Sequence, residues 1–382
     1  MVKVSRRAAI APFYAMEMGA LAAAEIAKGH RVLAMNIGEP AGGAPLGSRR
    51  AAAAALERYN LGYTVSAGLP RLRERIAEHY RDWYDLSVDP SRVSVVAGAS
   101  AGFTLAFLAA FDVGDRVGVT EPGYPCYRNT LQALGITPVG IPIGPETGYR
   151  LTPDAVAAAG ELDGLVIASP SNPTGTVLAD SDLRALTTHC RTNNIRLIAD
   201  EIYHGLTFEA PAPTVLNFAH DAVVLNSFSK YFGMTGWRLG WIIAPDDLGS
   251  ALDRFAQNLY ICAPHVAQIA GTAAFDCHDE LRPRVDDIKR KRAIVLNGLQ
   301  ACGLTNYAPA DGAFYAYVDV SSITNDSLAL TKQWLDELKL ATTSGIDFDP
   351  VRGHHFVRFS YAGNESDIEV AMERLGTWIG DR

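Results

Sequence analysis

The run Ser227, Phe228, Ser229, Lys230, Tyr231, Phe232, Gly233, Met234, Thr235, Gly236, Trp237, Arg238, Leu239, Gly240 holds the side chain best suited to covalent chemistry in this sequence. Lysine is rare in the chain, and its other copies stand among charged neighbours or near the N-terminus. Lys230 stands between serines and aromatic rings. An amine in such surroundings loses hydration, its pKa falls, and the neutral form attacks a carbonyl carbon. A structural lysine that extends its ammonium to water is the competing reading, and the run alone leaves both standing.

Three further runs carry polar groups that invite a ligand. Asp200, followed by Glu201, Ile202 and Tyr203, ends an apolar run, and a carboxylate there is costly unless it meets a cation. That cation can be a ligand or simply a structural arginine. In Ser169, Pro170, Ser171, Asn172, Pro173, Thr174, Gly175 two prolines fix the backbone that carries Asn172; a plain Pro-Gly loop is the bland reading. Gly98, Ala99 and Ser100 open a helical stretch, where backbone N–H groups meet anions, although glycine before a helix is more often turn punctuation.

These runs share a position. From about Arg92 to Ala244 the chain alternates short β-branched apolar runs with helical stretches, the pattern of an α/β fold. Expected strands are 93–96, 117–120, 165–168, 196–199, 222–226 and 239–243. None alternates polar with apolar residues, as suits strands covered on both faces. Helices are expected over 101–111 and 182–191. In an open parallel sheet, ligands gather beyond the carboxyl ends of the strands, which is where Gly98, Asn172, Asp200 and Lys230 fall.

Beyond Asp279 the texture changes to a long charged helix through Lys291, Ile294 and Leu299, then hairpin-like stretches at 314–320 and 356–361. The expected organisation is an N-terminal arm at 1–44 that forms part of a small domain, a large cofactor-binding domain at 45–278, and the rest of the small α+β domain at 279–382. An extended run at 32–37 should lie beside the C-terminal part. Phe13, Met16, Leu21 and Ala24 recur at helical intervals, as in an amphipathic helix.

The length of 382 residues suits two domains, and 48% hydrophobic with 20% charged residues suits a globular chain. A net charge of −8 argues against nucleic acid, and no run is apolar enough to span a membrane. Ser5, Arg6 and Arg7 ahead of an alanine-rich stretch imitate an export signal, but Pro12, Glu17 and Glu25 interrupt it. Five scattered cysteines suit a reducing cytoplasm. No metal site is expected: His354 and His355 are adjacent but lack partners at ligand spacing. A full GxGxxG fingerprint after a strand is also missing, which removes most support for a nicotinamide dehydrogenase.

Taken in order and at these separations, the runs around Asn172, at 200–203 and at 227–240 resemble those of the class I/II aminotransferases of pyridoxal-phosphate fold type I. The resemblance extends to Gly38, Glu39 and Pro40, to Tyr63 with Gly68, Leu69 and Pro70, to the turn 122–127, and to Arg358. It implies a mostly parallel seven-stranded sheet in the large domain. It also implies that Lys230 forms a Schiff base with pyridoxal 5′-phosphate and shuttles the substrate proton, that Asp200 meets the pyridine nitrogen, and that Asn172 and Tyr203 meet the ring's phenolic oxygen. Tyr124 would stack on the ring; Ala99, Ser100, Ser227 and Arg238 would hold the phosphate; Arg358, Gly38 and Asn172 would receive an amino- or 2-oxo-acid substrate. A homodimer in which Tyr63 reaches the partner's phosphate is implied as well.

Two loops depart from the family's pattern: Ala41, Gly42 and Gly43 replace acidic and aromatic residues, and Gly345, Ile346, Asp347 and Phe348 stand where a Pro-Gly run is frequent. Both loops face substrate in that family, so substrate identity is the least determined feature. A lyase that eliminates a β substituent, such as a C–S lyase, would use the same Lys230 and Asp200.

Overall fold

The computed structural model describes residues 2–381. A short strand β1 (Leu33–Ala34) precedes the main sheet, whose strands are β2 (Val93–Val96), β3 (Arg116–Glu121), β4 (Thr137–Pro142), β5 (Gly164–Ala168), β6 (Arg196–Asp200), β7 (Val223–Ser227) and β8 (Gly240–Ile243). Their order across the sheet is β2-β8-β7-β6-β5-β3-β4. Neighbours are parallel except at β8, which runs antiparallel to both β2 and β7.

Alternate residues of each strand enter two separate cores. Val95, Leu165, Ile167, Leu197, Ala199 and Val224 face one, and Val96, Val119, Val166, Ile198, Leu225 and Ile242 face the other. Because both faces are covered, both alternating sets must be apolar, which explains the unbroken runs in the sequence. Since β8 reverses twice over, β2 regains the direction of β5, β6 and β7. The carboxyl ends of these four strands therefore open on one edge of the sheet.

The seventh strand, Thr137–Pro142, was not among the runs expected to be strands. Pro138, Gly140 and Pro142 give it the composition of a loop, and it is tolerated because β4 lies at the sheet edge, where one side needs no ladder partner.

The remaining strands are β9 (Tyr315–Asp319), β10 (Leu340–Ala341), β11 (Thr343–Ser344) and β12 (Phe356–Ser360). Strands β11, β12 and β9 form an antiparallel sheet, with Arg358 opposite Tyr317 on one side and Thr343 on the other. Thus 314–320 and 356–361 do pair, but across a long connection rather than as a local hairpin. β1 pairs with β10, and the Ser360 N–H donates to Met35 O at 2.8 Å, so the start of the chain is laced to its end. The helix His278–Ala301 crosses from the main sheet to this second one and packs on Glu365–Gly380.

Helix α1 (Tyr14–Ala27) forms where expected but turns a different face inward. Ala15, Met18, Ala22 and Glu25 are buried, whereas Met16 is 66% and Leu21 42% exposed. The sequence pattern was misleading because Glu25, which reads as a solvent residue, is drawn inward by Lys28, His30 and Lys339. Among the described residues no helix is long and apolar enough to cross a membrane.

Candidate active site

Strand β6 delivers Asp200 to the open edge, where it is buried. One carboxylate oxygen accepts from the Tyr127 hydroxyl and the other from the Ile202 N–H at 3.1 Å. Among the described residues these are the hydrogen bonds to the carboxylate, and the arginine partner left open by the sequence is not present. Burial raises its pKa to about 6, a shift that Tyr127, the Ile202 amide and Lys230 only partly oppose. The carboxylate lines a cavity with an unmet demand for a cation.

Lys230 follows β7 on a turn anchored by Phe228, which packs against Phe232, Trp241 and Phe275. Its Nζ donates to the Gly38 carbonyl at 2.7 Å and lies 5.6 and 5.7 Å from the Tyr203 and Phe314 ring centroids. Loss of hydration, with the Arg358 charge second, lowers its pKa to about 8. That is the environment an attacking amine requires, and it argues against a lysine placed merely to reach water.

Arg358, on β12, lies between the rings of Tyr315 and Phe348, with its guanidinium carbon 4.4 and 4.7 Å from their centroids. It donates to Asn172 Oδ1 at 2.9 Å and to Asn36 O at 2.6 Å, while its Nε has no partner. A guanidinium against two rings keeps its charge out of water while its N–H fork can pair with a carboxylate. The Tyr203 hydroxyl is 2.9 Å from that of Tyr315. Asn172, Asp200, Tyr203, Lys230, Arg358, Gly38 and Tyr124 thus line one cavity, closed at its outer side by Phe13, Ala15, Met16 and Ile37.

A cradle suited to an anion lies just beyond the carboxyl end of β2. Gly98 has φ +82°, and a Cβ there would lie 2.3 Å from Arg238 Nη2, so only glycine lets the arginine lie across the start of the helix Ala99–Ala110. No side chain caps that helix, which leaves its first N–H groups, including those of Ala99 and Ser100, available. Arg238 is itself exposed and held by a bond to Thr235 O at 2.8 Å.

Ser227 and Tyr63 are not among the residues that line this cavity in the single chain. Ser227 is buried within its own turn, where its hydroxyl accepts from the Ser229 N–H at 3.0 Å and faces Leu239 O. Tyr63 is 80% exposed and does not line the cavity of its own chain. Conversely, Tyr315 and Tyr127 were not anticipated. Tyr127 stands three residues after Tyr124, a helical spacing that would have found it; Tyr315 is visible only once β9 is known to lie beside Arg358.

The cavity thus presents a buried carboxylate at Asp200, an amine at Lys230 and a guanidinium at Arg358. The chain is similar to several known proteins. The family model for aminotransferase class I and II matches residues 30–375. A valine–pyruvate aminotransferase of Mycobacterium tuberculosis is 45% identical, over 99% of this chain and 98% of its own. The crystal structure of an aminotransferase from the same organism superposes with TM-score 0.98 at 44% identity over the whole of both chains. The aspartate aminotransferase of Thermus thermophilus, solved with maleate, gives TM-score 0.92 at 32% identity, covering 99% of this chain and 100% of that one.

Gly38 offers a direct test of this geometry. A Cβ at Gly38 would fall 1.8 Å from the Tyr315 hydroxyl, so Gly38→Ala must displace either Tyr315 or the carbonyl that Lys230 uses. Overpacking of about 1–3 kcal/mol at this point should lower kcat/KM for every substrate by roughly tenfold or more. Steady-state kinetics below the variant's melting transition, which should itself fall by a few degrees, would read this; a fully active variant of unchanged stability would show that Tyr315 and Gly38 are not in contact.

Proposed function

The chain belongs to the class I and II aminotransferases and moves an amino group between an amino acid and a 2-oxo acid, and on that premise we propose that it does so with pyridoxal 5′-phosphate held by Lys230, for donors with apolar side chains. The observation that carries the cofactor reading is a buried carboxylate, Asp200, left without a cation in the same cavity as a lysine whose amine is held near neutrality. Asp200 would keep a proton on the pyridine nitrogen. Asn172 and Tyr203 would meet the phenolic oxygen, Tyr124 would cover the ring, and the Ala99 and Ser100 amides with Arg238 would hold the phosphate. Ser227 would join them at the phosphate.

The bound cofactor would supply an electron-poor ring that accepts the electron pair left when a substrate Cα–H bond breaks. Arg358 and the Gly38 backbone would fix the α-carboxylate and so set the direction of that bond. Lys230 Nζ, once released, would take the Cα proton and return it one atom away. The aromatic walls exclude water, which strengthens each of these charges.

Only two cationic side chains, Lys230 and Arg358, line the cavity among the described residues, and the outer wall of Phe13, Ala15, Met16 and Ile37 is apolar. This wall, with the valine–pyruvate relative, supports an aliphatic donor. A cytoplasmic location accords with five cysteines that all stand free.

The reaction separates from β-elimination in a half-turnover. Cofactor-loaded protein given valine or leucine without an oxo acid should release one equivalent of 2-oxo acid per site, lose its yellow absorbance, and regain it with pyruvate. Repeated release of ammonia and 2-oxo acid from a donor bearing a β leaving group, such as a cysteine thioether, with no oxo acid added and the yellow absorbance retained, would instead identify a lyase. Preference for aspartate over valine would overturn the apolar assignment.

We further propose a homodimer with shared sites. Tyr63 is exposed, as are Leu56, Tyr59, Val65, Leu259 and Ile261, and the segment is fixed by a bond between Gly62 O and His265. A two-fold contact through this face would bring each Tyr63 to the other chain's phosphate. Mixing Lys230→Ala with Tyr63→Ala protein should then create one site carrying both lesions and one carrying neither, with activity above either parent. No gain on mixing, or an active monomer in sedimentation, would contradict the arrangement.

A further inference from the structure

Helix α1 supplies the outer wall of the cavity, yet nothing local fixes its start: its N-cap position is Phe13, which contributes no side-chain hydrogen bond. The missing cap comes from the far end of the chain. Asp347 Oδ1 accepts from the Tyr14 N–H at 3.1 Å, and Oδ2 accepts from the Ala15 N–H at 2.8 Å. Both amides belong to the first turn, whose donors have no partner within the helix, and a carboxylate there also meets the positive end of the helix dipole. The carboxylate is 2% exposed. Burial raises its pKa to about 6 against the opposing effects of the two amides, Arg358 and Arg128, so its placement is costly.

The residues beside Asp347 touch the other parts of the site. Phe348 covers one face of Arg358, its carbonyl accepts from the Gly123 N–H at 3.0 Å next to Tyr124, and the Asp347 carbonyl accepts from Arg128 at 3.2 Å. One short loop therefore touches the α-carboxylate arginine, the turn bearing Tyr124, and the wall that faces a substrate side chain. This is one of the two loops at which the sequence leaves its family's pattern.

We propose that Asp347 is a positioning residue for donor specificity: by holding the first turn of α1 it sets Phe13, Ala15 and Met16 against the substrate side chain. The proposal rests on the aminotransferase reading and deepens it, since it assigns selection among apolar donors to a contact more than three hundred residues apart in sequence.

The test compares Asp347→Ala with Asp347→Asn in cofactor-loaded enzyme, using leucine and alanine as donors and hydrogen exchange at the Tyr14 and Ala15 amides. Alanine offers little surface to the wall. In Asp347→Ala the KM for leucine should rise about tenfold, the scale of a lost cap, with kcat and the KM for alanine nearly unchanged, and both amides should exchange faster. Asp347→Asn, which keeps one acceptor oxygen, should recover part of both effects and guards against a folding defect in the alanine variant. Equal KM changes for the two donors, or faster exchange with unchanged donor preference, would overturn the proposal. Absence of transamination in the unmodified protein would instead defeat the functional reading, while amide exchange would still decide whether Asp347 holds the helix.

Discussion

An amine and a carboxylate, both withdrawn from water and neither ion-paired to another side chain, define this molecule. Lys230 and Asp200 stand at the ends of adjacent strands β7 and β6, and each is shifted toward its neutral form by burial. An unfolded aspartate releases its proton near the ordinary value of 3.8, whereas folded Asp200 keeps it to about 6. The ligand-free fold therefore loses stability as pH rises through that interval, on the order of 3 kcal/mol in all. A ring cation against Asp200 would oppose this penalty, so binding such a ring would stabilise the fold.

The rest of the architecture holds these two groups in place. Two apolar cores clamp both faces of the main sheet, which fixes the strand ends within a narrow range. The second sheet then brings Arg358 and Tyr315 over the cavity, and their positions are interdependent. Tyr315 supports the guanidinium, bonds Tyr203, and occupies the space that Gly38 leaves open. Gly38 in turn gives its carbonyl to Lys230. The side chains proposed to meet substrate carboxylate, cofactor ring and reacting carbonyl, namely Arg358, Tyr203 and Lys230, are thereby referred to one tyrosine.

What could be read from the sequence was what local chemistry determines. Unbroken β-branched runs marked strands covered on both faces, and polar residues just after them marked the site edge. Strand β4 escaped because edge position, not composition, allows Pro138 and Pro142 in a ladder. The buried face of α1 escaped because Glu25 is neutralised by Lys339, more than three hundred residues away. Tyr315 and Asp347 escaped for the same reason: each acts through a contact between distant segments, and a single sequence holds no local signal of such a contact. Tyr63 is the reverse case, since the single chain leaves it on the surface and its assignment depends on a second copy.

The central claim is that Lys230 is the amine that engages the cofactor. Protein loaded with pyridoxal phosphate, reduced with borohydride, digested and mapped by mass spectrometry should carry the added mass on the peptide containing Lys230 and on no other lysine, at one equivalent per chain. Modification spread over exposed lysines such as Lys28 and Lys289, with Lys230 unlabelled, would contradict the account.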